Sequence, residues 1–92
     1  MNPADMTTTI SYEPFERLIA GLRNDGLLKE SDLLHHRIHK VAWTTGSELI
    51  GELGLSIRKI RKENINRLSA DSIKNIEESM KIVKRVWPDF SG

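Results

Sequence analysis

Three histidines lie close together in the first half of the chain, and metal binding is the chemistry to consider for them. His35 and His39 would be one turn apart on a helix, and so would Asp32 and His36. Either pair could supply two ligands to a divalent metal ion, but such a site needs a third and a fourth ligand, and the sequence marks none. Basic residues interleaved with the histidines also disfavour a cation. We therefore expect no bound metal and interpret His35, His36 and His39 as part of a solvated helix face.

The chain also lacks the residue patterns of common catalytic sites. It contains no cysteine, which excludes disulfide bonds, thiol nucleophiles and thiolate metal sites. No glycine-rich phosphate loop follows a strand, and no nucleophile-elbow motif is present. A helical chain of 92 residues rarely encloses a deep pocket within one subunit. We therefore predict that the protein is not an enzyme and carries no cofactor.

A basic run in the second half of the chain could contact nucleic acid. It consists of Arg58, Lys59, Arg61 and Lys62. The net charge of +1 gives no overall attraction to a polyanion, so such binding would have to be local. The stretch Leu53-Gly54-Leu55-Ser56, with Leu49 before it and Ile60 after it, resembles the turn of helix-turn-helix DNA-binding proteins. The resemblance implies a DNA-binding regulator built on residues 48–62, in which Gly54 ends the first helix and the basic residues, with Ile57, lie on or beside the recognition helix.

One continuous helix is the other interpretation of the same stretch. Apolar residues keep one helical phase through Gly54, and they are Ile50, Leu53, Ile57 and Ile60. Ser47, Gly51 and Gly54 form a neighbouring strip of small residues along which a second helix can approach closely. Such packing would offset the propensity cost of about 1 kcal/mol for each glycine. The two interpretations differ at Gly54, which lies within a helix in one and in a turn in the other, and we favour the packing helix.

Capping residues divide the sequence before this stretch into two further helices. Ser11, followed by Pro14, predicts the start of a first helix, and Asn24-Asp25-Gly26 predicts its end. Ser31 and Asp32 predict the start of a second helix. Its inward face would consist of Leu34, Ile38, Val41 and Ala42.

We expect a break between the second and third helices. At about 100° per residue, the apolar face up to Ala42 and the face after Leu49 do not align on one straight helix. Thr45 and Glu48 have the spacing of a capping box, which predicts a new helix start. A single kinked helix over residues 31–66 is the alternative.

A fourth helix is predicted to begin at Ser69 and to end at Pro88. Its seam consists of Ile73, Ile76, Met80, Val83 and Trp87. Ile82 and Val86 lie on another side, a pattern typical of a helix buried on two sides. The sequence therefore predicts an all-α bundle of about four helices, in which helices 3 and 4 carry the main packing seams and dimerisation completes the core.

Composition and hydropathy indicate one ordinary globular domain. Hydrophobic residues make up 38% of the chain and charged residues 29%, which argues against wholesale disorder. We assign residues 1–10 to a flexible tail and residues 11–92 to a single helical domain. The absence of a signal-like or membrane-spanning stretch leads us to expect a cytoplasmic protein with no membrane partner.

The resulting hypothesis is a non-catalytic interaction or regulatory protein. It would act through helix-helix packing with a second copy, as a homodimer, or with a partner protein, and Trp87, Ile82 and Val86 would be its exposed anchors. The alternative is the DNA-binding regulator described above.

Overall fold

Four α-helices account for most of the computed structural model, which describes residues 11–90. They are α1 (Glu13–Asn24), α2 (Leu28–His39), α3 (Gly46–Asn64) and α4 (Ala70–Val86). Each helix packs against two others, α1 against α2 and α4, and α3 against the same two. The predicted all-α bundle of four helices is confirmed, while dimerisation stays a prediction. The predicted tail, residues 1–10, lies outside the described range. None of the four helices is both long and apolar enough to cross a bilayer.

The apolar seams of α3 and α4 meet in the core of the single chain. Fully or almost fully buried core residues include Phe15, Leu18, Leu22, Leu34, Ile50, Leu53, Ile57, Ile60, Ile76 and Val83. Ile82 is also buried, with 8% of its surface exposed. Its prediction as an exposed anchor is therefore wrong, because this side chain belongs to the hydrophobic core of its own chain. Val86 is half-buried and packs against the same core.

Local capping interactions set several helix boundaries where the sequence predicted them. The Thr45 hydroxyl accepts a hydrogen bond from Glu48 N at 3.2 Å, and the Glu48 carboxylate accepts one from Thr45 N at 3.1 Å. This capping box confirms the break between α2 and α3. Gly26 follows α1 with a φ of 81°, and Ser69 caps α4 by accepting from Ser72 N.

Two predicted features of α2 are wrong. Ser31 and Asp32 lie inside the helix, which begins at Leu28. Ser31 is fully buried, and its hydroxyl donates to the Ile19 carbonyl of α1 at 2.9 Å instead of capping a helix end. The helix ends at His39, so its predicted face does not extend to Val41 and Ala42.

The start of α1 differs from its prediction by one residue. Tyr12 is the N-cap, and the Ser11 hydroxyl accepts a hydrogen bond from Glu13 N at 3.2 Å.

Asp25 connects the turn after α1 to the start of α4. One carboxylate oxygen accepts hydrogen bonds from Ser69 N at 3.0 Å, from the Ser69 hydroxyl at 3.2 Å and from the Ser72 hydroxyl at 2.7 Å. Burial raises the pKa of Asp25, but these hydrogen bonds outweigh burial and place the pKa below the ordinary value of 3.8. The ionised carboxylate therefore stabilises the folded chain. Negative charge at this end of α4 is also favoured by the helix dipole.

The Asp25 contacts generate a pH-dependent prediction. Asp25→Asn should lower the free energy of unfolding by about 1 kcal/mol at neutral pH, since an amide is a weaker acceptor for these three donors. Because the folded pKa is lowered, the stabilisation is complete above 3.8 and is lost as the pH falls through the lower folded value. Urea unfolding from neutral pH to about pH 2 should show the two proteins converging in acid.

Asp32→Asn is the matched control for this experiment. Asp32 pairs with Arg23 at 3.0 Å, but both side chains are largely exposed, so its removal should cost little at any pH. A difference between wild type and Asp25→Asn that stays constant down to the acid limit would contradict the assigned role of the carboxylate.

Candidate functional site

An open groove lies between the first half of α3 and the chain that follows α4. Its volume is about 530 Å³, and we call it the tryptophan groove. It is lined by Trp43, Glu48, Gly51, Glu52, Leu55, Trp87, Pro88, Asp89 and Phe90.

A turn after α4 forms one side of the tryptophan groove. Trp87 N still donates to the Val83 carbonyl at 2.8 Å, and Phe90 N donates to the Trp87 carbonyl at 2.9 Å. Pro88 occupies the second position of this four-residue turn, a position where its fixed φ is favourable. The turn brings Phe90 back against α3, where it packs beside Gly54.

The small-residue strip of α3 is where this segment makes contact. A Cβ atom built on Gly51 would lie 3.2 Å from Trp87 Nε1, and one on Gly54 would lie 2.7 Å from Val83 Cγ1 and 2.9 Å from Phe90 Cζ. The Ser47 carbonyl accepts a hydrogen bond from Trp87 Nε1 at 2.8 Å. The strip therefore packs against the end of α4 and the following turn of the same chain.

Two large apolar side chains remain exposed in the tryptophan groove. Trp87 and Leu55 each have 45% of their surface exposed. Both indole N–H groups have backbone acceptors, because Trp43 Nε1 donates to the Arg37 carbonyl at 2.6 Å while Trp87 Nε1 donates to Ser47. The aromatic rings are thus held in place without a ligand, and what they present to solvent is apolar surface.

Acidic side chains provide the charge of the tryptophan groove. Glu48, Glu52 and Asp89 line it, and no basic residue does. Glu52 lies 3.6 Å from the Arg37 guanidinium, and one Glu48 oxygen is used in the capping box. The combination is an apolar floor with a negatively charged edge.

Two other surface grooves have similar volumes but a different character. One of about 530 Å³ lies between α1 and α4, and one of about 600 Å³ lies between α2 and α3. Acidic and basic side chains line both of them, and neither is lined by a tryptophan, tyrosine or phenylalanine. The tryptophan groove is therefore the best candidate among the three for binding an apolar group.

The structure places His35 and His39 side by side but does not bring all three histidines together. His39 Nε2 lies 2.8 Å from a Glu16 carboxylate oxygen of α1, and the His35 and His39 rings are 4.6 Å apart. His36 faces the groove between α2 and α3. Within residues 11–90, no group of three or more histidine or carboxylate side chains is arranged to hold a metal ion.

The helix-turn-helix interpretation of residues 48–62 is wrong about the backbone. Helix α3 continues through Gly54 without a turn. Ile57, which the resemblance places toward DNA, is 0% exposed. Arg58 lies over the Phe90 ring, with its guanidinium carbon 5.5 Å from the ring centroid. The remaining basic residues project from the same unbroken helix, with Lys59 and Lys62 exposed and Arg61 half-buried.

Sequence reasoning found part of the tryptophan groove. Trp87 was identified as an anchor, and Gly51 as a close-approach position, whereas Leu55 and Phe90 were not assigned to any site. One available signal was the Pro88-Asp89 pair directly after the predicted end of α4, since this pair is typical of a turn. Comparison with protein-family models, curated proteins and solved structures found no match to this chain.

The contact at Gly54 generates a stability prediction. Gly54→Ala should lower the free energy of unfolding by about 1 kcal/mol, because the overpacking cost of about 1 to 3 kcal/mol exceeds the gain in helix propensity. In a Val83→Ala background the same substitution should cost less, since one of the two closest contacts of the new methyl group is removed while Phe90 Cζ at 2.9 Å remains. Urea unfolding of the four proteins in this double-mutant cycle measures the coupling.

Gly51→Ala is the matched control. Its new methyl group would meet the edge of the half-exposed Trp87 ring, which can shift by a few tenths of an ångström. We expect this variant to be neutral or to gain up to about 1 kcal/mol from helix propensity. If Gly54→Ala were equally favourable, the close contact between α3 and Val83 would not exist in solution.

Proposed function

We propose that the protein is a non-catalytic binding module whose tryptophan groove receives an amphipathic helical segment of a partner protein. The observation that carries this proposal is the exposure of Trp87 and Leu55, 45% each, in one preformed groove. Exposed apolar groups that share a depression are typical of binding sites, whereas isolated ones on a flat surface are common and need no explanation.

The fixed orientation of the two indoles supports this function. Trp43 and Trp87 are each held by a hydrogen bond to a backbone carbonyl, so their rings need not be ordered when a ligand binds. Ordering of side chains is a substantial cost of association, and a preformed site avoids much of it. Tryptophan is also the residue type most enriched among residues that dominate binding energy.

The shape of the site favours a helical segment over a whole folded surface. Gly51 and Leu55 are one turn apart on α3, so the groove follows the helix direction. An apolar helix face placed along such a groove is a common mode of peptide recognition.

Packing within the chain argues against a second copy as the occupant. Within the small-residue strip, Gly54 is already buried against Val83 and Phe90 of the same chain, while Gly51 and Ser47 contact Trp87. Ile82, the other expected contact, is in the core. A stable homodimer commonly buries about 800 Å² on each protomer, and Gly54 and Ile82 are no longer available to supply that area.

Intrinsic fluorescence offers a direct test of the proposed function. The chain contains two tryptophans, and both line the tryptophan groove. A panel of synthetic, tryptophan-free amphipathic peptides, with leucine on one face and either lysine or glutamate on the other, should include members that change the emission saturably. Leu55→Ala should weaken the binding of those members about five- to thirtyfold, the effect of losing about 1 to 2 kcal/mol at an interface anchor.

Ile65→Ala is the matched control. Ile65 has 49% of its surface exposed but does not line the groove, so its truncation should leave peptide affinity unchanged. Failure of every peptide to bind, or equal weakening by Leu55→Ala and Ile65→Ala, would overturn the proposal. Sedimentation of the protein alone should show a monomer, and a stable dimer blocked by Leu55→Ala would assign the groove to a second copy.

A further inference from the structure

We infer that the segment received by the tryptophan groove is basic and places a lysine or arginine beside its apolar anchor. This inference rests on the proposed function and identifies the chemistry of the partner. It depends on the charge around the groove and on the aromatic surface within it.

Carboxylates enter the groove from two separate elements. Glu48 and Glu52 belong to the first two turns of α3, and Asp89 belongs to the turn that follows α4. Glu48 and Asp89 are exposed. In the part of the chain that the structure describes, neither carboxylate lies within 4 Å of a basic group, whereas Glu52 has Arg37 at 3.6 Å. Within residues 11–90, Glu48 and Asp89 thus form no ion pair, and both carboxylates remain exposed at the groove edge.

Aromatic surface in the groove favours the same charge. The face of an indole ring attracts a cation through its quadrupole, and the attraction is larger where water is displaced. The chain already contains one such contact, between Arg58 and Phe90 at 5.5 Å. A basic side chain of the partner that lies across Trp87 toward Glu48 or Asp89 would combine both interactions.

Other occupants fit this charge less well. An acidic segment would bring like charges together at the groove edge, which opposes binding. Residues 1–10 of the chain itself contain one aspartate and no lysine or arginine, so they lack the complementary charge. The favoured occupant is therefore a basic amphipathic segment of another protein.

Two peptides from the panel test this inference. They share one leucine face and differ only in having lysine or glutamate on the polar face. At low ionic strength the lysine peptide should bind at least about tenfold more tightly than the glutamate peptide, and this preference should shrink in about 0.5 M salt because the rim charges are exposed to solvent.

Variants that each replace one carboxylate by an uncharged amide then assign the preference for the lysine peptide to individual residues. Glu48→Gln and Asp89→Asn should each weaken the binding of the lysine peptide about two- to fivefold, as expected for the loss of one exposed ion pair. Neither substitution should weaken the binding of the glutamate peptide. Glutamine at position 48 can still complete the capping box, so the start of α3 is retained. Glu63→Gln, an exposed carboxylate of α3 outside the groove, is the control and should change neither affinity.

The possible outcomes separate this inference from the proposed function. If the glutamate peptide binds as tightly as the lysine peptide and Leu55→Ala weakens both, the groove is a binding site but the basic partner is wrong. If neither peptide binds, the proposed function itself fails. A lysine preference that survives Glu48→Gln and Asp89→Asn together would also overturn the inference, because it would originate elsewhere on the surface.

Discussion

The direct contact between α3 and the end of α4 is the constraint on which the rest of the structure depends. Gly51 and Gly54 carry no side chain, so Trp87, Val83 and Phe90 can pack against the backbone of α3. Two glycines in the middle of a helix cost about 1 kcal/mol each in helix propensity. Close packing of a buried valine and two aromatic rings offsets that cost. The same contact buries Val83 in the hydrophobic core of the chain.

The candidate site is a consequence of this contact. Once α4 ends beside Gly51, the turn that follows it must cross the surface of α3, and Trp87 is left with one edge hydrogen-bonded to Ser47 and much of its ring in solvent. Leu55, one turn further along α3 from Gly51, extends the apolar surface. The capping box that starts α3 places Glu48 at the edge of the groove. The residues that stabilise the fold and those that form the proposed binding site therefore lie side by side in the same segments. Variants in these segments must be tested for both stability and peptide binding.

Features determined by local sequence were the ones that could be predicted. The capping box at Thr45 and the continuous apolar phase of α3 follow from hydrogen-bonding geometry and helical periodicity. Ser31 was assigned as a cap because serine favours helix ends, whereas a carbonyl of α1 is its real partner, and no local pattern contains that information. Periodicity shows that Ile82 must be buried but not whether its own chain or another one buries it. Whether Leu55 lines a groove also depends on tertiary packing, which periodicity does not reveal.

We propose that the tryptophan groove is the surface at which this protein binds a partner. Titration of the ¹⁵N-labelled protein with the lysine peptide, followed by two-dimensional NMR, tests it most directly. We expect progressive shifts of the Trp87 indole N–H signal and of the Gly51 and Leu55 amides, with little change at Ile65 or along α1. Shifts concentrated on α1 and α2, with the Trp87 signal unmoved, would contradict it.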